Sequence, residues 1–276
     1  MNQNPIDAGK PIAIRSWVWS QHWTEMLFLH WRVDQAAIQA CLPEPVTIAT
    51  YDGSAWVSLV LFRLKVRPRW LPFVPWLSSL VEVNLRTYVM CNGQPGIWFL
   101  SVHANNRPAM ALARLLTPLP YEHAAMQYDG IGDQRLFQAE AGSLKPICKL
   151  AFCPSGPKVE CRHGSLDEWL LERYRLFIDS DKGLMRAAVA HPRWVVQQVA
   201  IEAAVNDFGR DIGLDVPLVP DVAHFSSGVR ARFGSFQPVP PSDSNEPPQQ
   251  YFPHTEPASR SQRPRYQNRP TTHPGA

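Results

Sequence analysis

Glu82, Asn84, Arg86 and Tyr88 alternate with Val81, Val83, Leu85, Thr87 and Val89 along one stretch of the chain. In an extended strand successive side chains point to opposite faces, so the polar set shares one face and the apolar set the other. A carboxylate, an amide, a guanidinium and a phenol in one row have two uses. Turned to water they are ordinary surface. Turned into an enclosed space, Glu82 becomes a candidate base and Arg86 a charge-assisted partner for a polar ligand, with Asn84 and Tyr88 beside them. The residues alone leave both uses open. After Asn92-Gly93 the segment Ile97 to His103 returns; alternation predicts Ser101 and His103 together on one face and Trp98, Leu100 and Val102 on the other. His103 is therefore a candidate acid.

His30, His103, His123 and His191 are the other candidate acid–base groups or metal ligands. No cluster of His and Cys has zinc spacing, so neither a metal nor a cofactor is expected. The chain has 5 Cys and no CxxC pair, the usage of reduced thiols in a cytoplasmic protein. There is no Gly-x-Ser-x-Gly elbow and no phosphate loop, and Gly130-Ile131-Gly132 lacks the third glycine of a dinucleotide fingerprint.

These groups need a scaffold. Over 276 residues, 45% are hydrophobic and 10 are Trp, which suits a packed core or an aromatic-lined cavity. The formal charge of +3 is too small for a nucleic-acid partner without a clustered basic face. The polar first residues carry no apolar signal core, and no apolar run is long enough for a membrane span. The segment Trp70 to Leu77 is apolar but broken by prolines, and is expected to be a lid or an oligomer contact.

Asp34 reads as the N-cap of a helix that Pro43 stops. Val46 to Tyr51 and Ala55 to Val66 read as strands joined at Asp52-Gly53, and Leu80 to Met90 as a long strand turning at Asn92-Gly93. Asn106 and Pro108 start a short helix running to Leu116. Ser165 and Glu168 form a capping box for a helix whose apolar face carries Leu166, Trp169, Leu170, Tyr174 and Phe177. A further helix is expected near Trp194 to Phe208. From Gln237 the chain turns rich in Pro, Ser, Gln and Arg, a composition that cannot offset the entropy of ordering. The expected division is an N-terminal extension over 1–16, one domain over 17–236 and a disordered Pro-rich tail over 237–276.

Leu29-His30-Trp31-Arg32-Val33-Asp34, Leu42-Pro43, Asp52-Gly53-Ser54-Ala55-Trp56-Val57, Glu82 to Val89, Leu119-Pro120-Tyr121, Glu172-Arg173-Tyr174 and His191-Pro192-Arg193-Trp194 occur in order. Together they resemble the uncharacterised YqjF-like family, a domain of unknown function similar to the acetoacetate decarboxylase-like superfamily. The resemblance implies an α+β, predominantly antiparallel fold: a closed or cone-like β-barrel around an internal cavity, with a few peripheral helices. Decarboxylases of that superfamily carry a Gly-Arg, then an aromatic-Gly-aromatic-Pro, then two lysines, the first of which forms a Schiff base. Here Ala113-Arg114 matches the Gly-Arg, Pro120 matches the proline, and Tyr121 and Glu122 stand at the lysine positions. Neither can form an imine, so Schiff-base decarboxylation is not expected. Glu82 falls where those enzymes keep an acidic residue.

Three uses of the fold follow from this resemblance. The first is binding of a small organic carboxylate or carbonyl compound, with Arg86 and Arg114 as donors and Trp56, Trp98 and Tyr121 as walls, and Asn84, Tyr88 and Glu122 at the site. The second is lyase, isomerase or hydratase chemistry with Glu82 as base and Tyr121 or His103 as acid. The third is a structural or interaction role. A small-molecule ligand and a homo-oligomer are the expected partners, with neither nucleic acid nor membrane.

Overall fold

The computed structural model describes residues 11–70, 74–141 and 145–241. Along the chain run β1 (Trp19–Val33), α1 (Gln35–Gln39), β2 (Thr47–Ile48), β3 (Thr50–Tyr51), β4 (Ser54–Pro68), α2 (Pro75–Ser78), β5 (Ser79–Cys91) and β6 (Gln94–Ala104). They are followed by α3 (Arg107–Leu116), β7 (Tyr121–His123), β8 (Ala125–Ile131), β9 (Gln134–Ala141), β10 (Lys145–Glu160) and α4 (Leu166–Leu171). The last elements are β11 (Arg175–Ile178), β12 (Met185–Ala190), β13 (Val195–Asn206), a 3-10 turn (Arg210–Ile212), β14 (Val222–Phe233) and β15 (Gln237–Pro238).

The local signals act as the residue types require. Asp34 accepts from the Ala37 amide at 2.8 Å and Asn106 from the Ala109 amide at 3.0 Å, so each satisfies an orphan donor of the helix it starts. Asp52 and Gly53 take φ of 49° and 75°, and Asn92 and Gly93 take 48° and 72°, the left-handed pair that a two-residue hairpin turn needs. Ser165 caps α4 by accepting from the Glu168 amide at 3.2 Å. That helix stops at Leu171, so Tyr174 lies beyond it and Phe177 belongs to β11; the run predicted as one helical face is a short helix followed by a strand.

The helix expected near Trp194 to Phe208 is instead β13. It pairs with β10 from Cys148↔Asn206 to Glu160↔Val195, and residues 197–202 alternate between partly buried and exposed with period two. Long-range pairing and the β-branched residues at 195, 196, 199 and 201 outweigh the helical propensity of its alanines. The packed chain also runs past the compositional change: Gln237 and Pro238 pair with Arg186 and Met185 of β12. The rest of the predicted tail, from 242, lies outside the described residues, as do 71–73 of the Trp70 to Leu77 segment.

The sheet is mostly antiparallel, with parallel pairings of β11 with β6 and of β6 with β7. Its order runs β15-β12-β11-β6-β5-β4-β1-β14-β13-β10-β9-β8. At its far end β12 also pairs with β14, Val189 against Phe233 and Ala190 against Arg232, so the path from β14 through β1, β4, β5, β6 and β11 returns to β14. Both faces of β5 are buried. On one, Val81, Val83 and Leu85 join Leu27, Leu59 and Leu61 and the Phe137, Leu150 and Phe152 layer. On the other, Tyr88 joins Met26, Phe28, Trp56, Val60 and Phe62.

Two bulges set which residues face the second side. In β1 the register against β4 slips between Thr24 and Leu27, around Glu25 with φ 53°. In β6 it slips between the partners of Leu85 and Arg86, leaving Leu100 as the extra residue. Each slip shifts the alternation by one residue.

Candidate functional site

Against the second face lies a pocket of about 70 Å³. The bulge in β1 allows Gln21 and Trp23 before it, and Met26 and Phe28 after it, to line the same pocket. Beside them stand Val60 and Phe62 of β4, Glu82, Asn84 and Arg86 of β5, and Ile97 and Phe99 of β6. Tyr121 of β7, Arg173, Arg175, His191, Trp194 and Phe233 complete the charged and aromatic part of the wall. Trp23 and Trp194 stack at 6.0 Å and 8° between ring planes, and Trp194 meets Phe28 edge-on at 5.1 Å.

Glu82 is 5% exposed and Asn84 3%. Tyr121 donates its hydroxyl to Glu82 Oε2 at 3.1 Å, and Asn84 Nδ2 donates to Glu82 Oε1 at 3.2 Å. Burial drives the Glu82 carboxyl up to about 7, against the opposing pull of those two hydrogen bonds. Burial, and then the Glu82 charge beside it, push the Tyr121 phenol well above its usual range. Burial lowers Arg86, and Tyr88, which hydrogen-bonds it, works the other way. Burial also lowers His191, partly offset by its hydrogen bond to the Pro192 carbonyl. Asn84 Oδ1 and Arg86 Nε are buried and find no hydrogen-bond partner among the described residues. One is an acceptor and one a donor, both in the wall of the same pocket.

Of the residues singled out from sequence, Glu82, Asn84, Arg86 and Tyr121 come together here. Tyr88 shares their face but is turned into a separate buried chain: its hydroxyl lies 2.5 Å from Ser58 Oγ. His103 does not reach the pocket. The Leu100 bulge sets it opposite Val83, on the other face of the sheet, where its ring meets Phe208 at 5.3 Å and its Nε2 lies 3.4 Å from Glu122 Oε2. The same slip separates Val102 from Trp98: Val102 pairs with Asn84, while Trp98 pairs with Thr87.

Glu122 meets that buried histidine from the solvent side, its own side chain 68% exposed. Trp98 packs with Val46, Val89, Cys91 and Phe177 away from the pocket. Trp56 is buried in the core with the Arg32 guanidinium 4.9 Å from its ring centre. Arg114 is exposed on α3 and donates Nε to the Tyr121 carbonyl at 2.9 Å, so it holds the backbone of a wall residue without touching the hollow. Among the described residues no group of three or more His, Cys, Asp or Glu is placed to hold a metal ion. No helix among them is long and apolar enough to cross a membrane.

Arg173, Arg175 and Trp194 were not among the candidate site residues, while His191, a candidate acid–base group, does line the pocket. The motifs Glu172-Arg173-Tyr174 and His191-Pro192-Arg193-Trp194 stood out, but only the return of β11 and β12 to the start of the sheet brings them to β5. Glu172 ties the two segments together, accepting from the Trp194 amide at 2.8 Å and from the Tyr174 hydroxyl.

The model of DUF2071, described as an uncharacterized conserved protein, matches residues 20–230. The uncharacterized protein YqjF of Bacillus subtilis strain 168 is 34% identical over 212 residues, covering 76% of this chain and 88% of its own. Acetoacetate decarboxylase from Legionella pneumophila superposes with a TM-score of 0.57 at 13% identity, over 84% of this chain and 92% of that one. The enduracididine biosynthesis enzyme MppR, complexed with pyruvate, superposes with a TM-score of 0.56 at 10% identity, over 83% and 98%. The likeness to these solved structures is one of fold.

Proposed function

Because this chain belongs to the uncharacterised DUF2071 family and has an acetoacetate decarboxylase-like fold, we propose that it binds a small organic carboxylate or carbonyl compound in the pocket beside β5. The return of β12 to β14 supports reading the strand circuit as a closed barrel and the pocket as its interior. One observation carries the binding reading. Asn84 Oδ1 and Arg86 Nε are buried in the wall with no hydrogen-bond partner among the described residues, next to a carboxyl that burial has brought to about 7. A buried polar atom left without a hydrogen bond costs on the order of 1–3 kcal/mol. A ligand that offers a donor to Asn84 and an anionic or carbonyl oxygen to Arg86 recovers that cost. The stacked tryptophans and phenylalanines suit the carbon skeleton of such a ligand.

Schiff-base chemistry is not part of this proposal: Tyr121 stands at a lysine position of the decarboxylases, and no lysine is among the residues lining the pocket. A second reading is favoured by the Tyr121–Glu82 hydrogen bond. A carboxyl near 7 next to a phenol donor suits a base and an acid of a lyase or isomerase acting on a carbonyl compound. Five free cysteines support placing the protein in the cytosol. The exposed Trp70 and Trp76 support a homo-oligomer contact, which Trp76→Asp would disrupt on size exclusion.

The test is thermal unfolding in the presence of pyruvate, acetoacetate and a broad set of small carboxylic acids. Stabilisation by some members of the set, lost in Arg86→Ala, is the expected result. No stabilisation by any of them overturns the binding reading. Turnover of a bound compound that survives Glu82→Gln removes Glu82 from any mechanism.

A further inference from the structure

Behind the pocket wall runs a chain of polar side chains from five elements, all but the last of them buried. The Tyr88 hydroxyl lies 2.5 Å from Ser58 Oγ, and Ser58 Oγ lies 2.5 Å from His30 Nδ1. His30 Nε2 lies 3.3 Å from His224 Nδ1, and His224 Nε2 lies 3.1 Å from Asp167 Oδ1. Tyr88, Ser58 and His30 are 0% exposed and His224 7%, while the Asp167 side chain is 48% exposed. At the inner end Tyr88 hydrogen-bonds Arg86, which lines the pocket. The chain therefore begins beside the pocket and ends in solvent.

Its direction follows from its outer end. The hydrogen bond from His224 holds the Asp167 carboxyl below its usual range, against some burial, so Asp167 is an acceptor. In its neutral form His224 then carries its proton on Nε2 and accepts at Nδ1. His30 must carry its proton on Nε2 and accept at Nδ1 from Ser58. Ser58 in turn accepts from Tyr88. Every donor points the same way, and each interior atom can both give and take a proton.

We propose that Tyr88, Ser58, His30, His224 and Asp167 form a proton relay that connects the Arg86 side of the pocket to solvent, so that the interior exchanges a proton without opening the sheet. One passage is balanced as follows. Tyr88 gives its proton to Ser58, Ser58 gives its own to His30 Nδ1, His30 Nε2 gives its own to His224 Nδ1, and His224 Nε2 gives its own to Asp167. Tyr88 is left as a phenolate beside the Arg86 guanidinium, with Arg173 5.1 Å from its ring centre, and Asp167 releases the proton to water. Both imidazoles end with the proton on the other nitrogen. The starting state returns when a proton travels back along the same path: Asp167, reprotonated from water, gives it to His224 Nε2, His224 Nδ1 gives its own to His30 Nε2, His30 Nδ1 gives its own to Ser58, and Ser58 returns its proton to the phenolate.

The charges facing the relay come from every side. Arg86 and Tyr88 belong to β5, Ser58 to β4, His224 to β14 and Asp167 to α4, while Arg173 follows α4 and Phe28 of β1 stacks on His30 at 6.3 Å. His191, next to the same Arg86, lies with Nδ1 2.8 Å from the Pro192 carbonyl and Nε2 3.2 Å from the Arg173 carbonyl, and stays outside the chain. Burial, the second imidazole and Arg86 all keep His30 neutral, so it passes a proton without storing one.

The relay is independent of which compound fills the pocket, and its test needs none. In the full chain labelled with 15N-histidine, both rings should show the proton on Nε2 near neutral pH. The exchange of the His30 Nε2 proton with water should slow at least tenfold in Asp167→Asn and in His224→Gln, while backbone amides of Leu29 and Ala223 keep their rates. Asp167 is half-exposed, so its variant remains informative if His224→Gln fails to fold. A His30 ring protonated on Nδ1, an unchanged exchange rate in Asp167→Asn, or a rate that moves only with the backbone amides overturns the relay. Pyruvate added to the same sample reports separately on the pocket: its failure to bind counts against the ligand reading and leaves the exchange result standing.

Discussion

Tyr121 gives its hydroxyl to Glu82 from two strands away, through β6, which pairs with β5 on one side and with β7 on the other. The contact joins β7 to the one carboxyl on the pocket-facing row of β5. It fixes the direction of several measurable effects.

Glu82 makes stability depend on pH. Its carboxyl is raised from 4.5 to about 7 in the folded protein, chiefly by burial. Between those values the folded state keeps a proton that the unfolded chain has released. Its contribution is therefore complete below pH 4.5, declines as pH rises toward 7, and is gone above that. The span corresponds to roughly 3 kcal/mol. Urea unfolding of Glu82→Gln should show a stability gain over the natural protein that is small at pH 4.5 and grows by about that amount by pH 8. A pH-independent difference would refute the assignment.

Tyr121→Phe removes one of the two hydrogen bonds that hold the Glu82 carboxyl down. The ionised form loses support, so the Glu82 titration should move further above 7. Carbon NMR of the Glu82 carboxyl reads this directly. A midpoint that stays in place or falls would mean that Tyr121 does not stabilise the charge.

His103 and Arg86 should behave as opposites although both lie on the β5–β6 hairpin. His103→Gln alters a contact with Phe208 on the far face and should change the affinity for any stabilising acid by less than about twofold. Arg86→Ala takes a cation out of the wall and should lower that affinity at least about tenfold, since charge-assisted hydrogen bonds contribute on the order of 1.5–3 kcal/mol. Equal effects in isothermal titration would place the ligand elsewhere.

The same pair explains what was legible in the sequence. Asn92-Gly93 and the alternation of Val81 to Val89 made β5 and its polar row readable, because a hairpin turn and period-two patterning are local. His103 shares a face with Ser101, as alternation requires, but the extra residue at Leu100, which no compositional mark announces, turns that face away from Glu82. The strand that replaces the helix expected near Trp194 to Phe208 is invisible locally because its pairing with β10 is long-range. Arg173, Arg175 and His191 reach the pocket only when the strand path turns back on itself through Val189 and Phe233. No spacing rule within one segment encodes that return.

Gly228 is where the other bulge can be tested. It pairs with Thr24 at φ 122°, and a Cβ there would stand 1.9 Å from the Trp23 carbonyl oxygen and 2.8 Å from Thr24 Cα. Both are backbone atoms that cannot rotate away. Glu25, the next residue, has φ 53°, its carbonyl accepts from the Tyr128 hydroxyl at 2.6 Å, and its carboxylate accepts from Arg135 at 2.5 Å. Gly53 offers the contrast: its φ is 75°, but a Cβ there meets nothing within 4 Å. Gly53→Ala should cost only the left-handed strain, on the order of 1–2 kcal/mol. Gly228→Ala adds a collision to that strain and should cost more than about 3 kcal/mol in urea unfolding. Because the bulge lets Trp23 and Met26 share one pocket, Gly228→Ala should also abolish stabilisation by any acid that binds the natural protein, while Gly53→Ala retains it. Similar costs for the two variants, or a Gly228→Ala protein that still responds to ligand, would mean that this close approach does not shape the pocket.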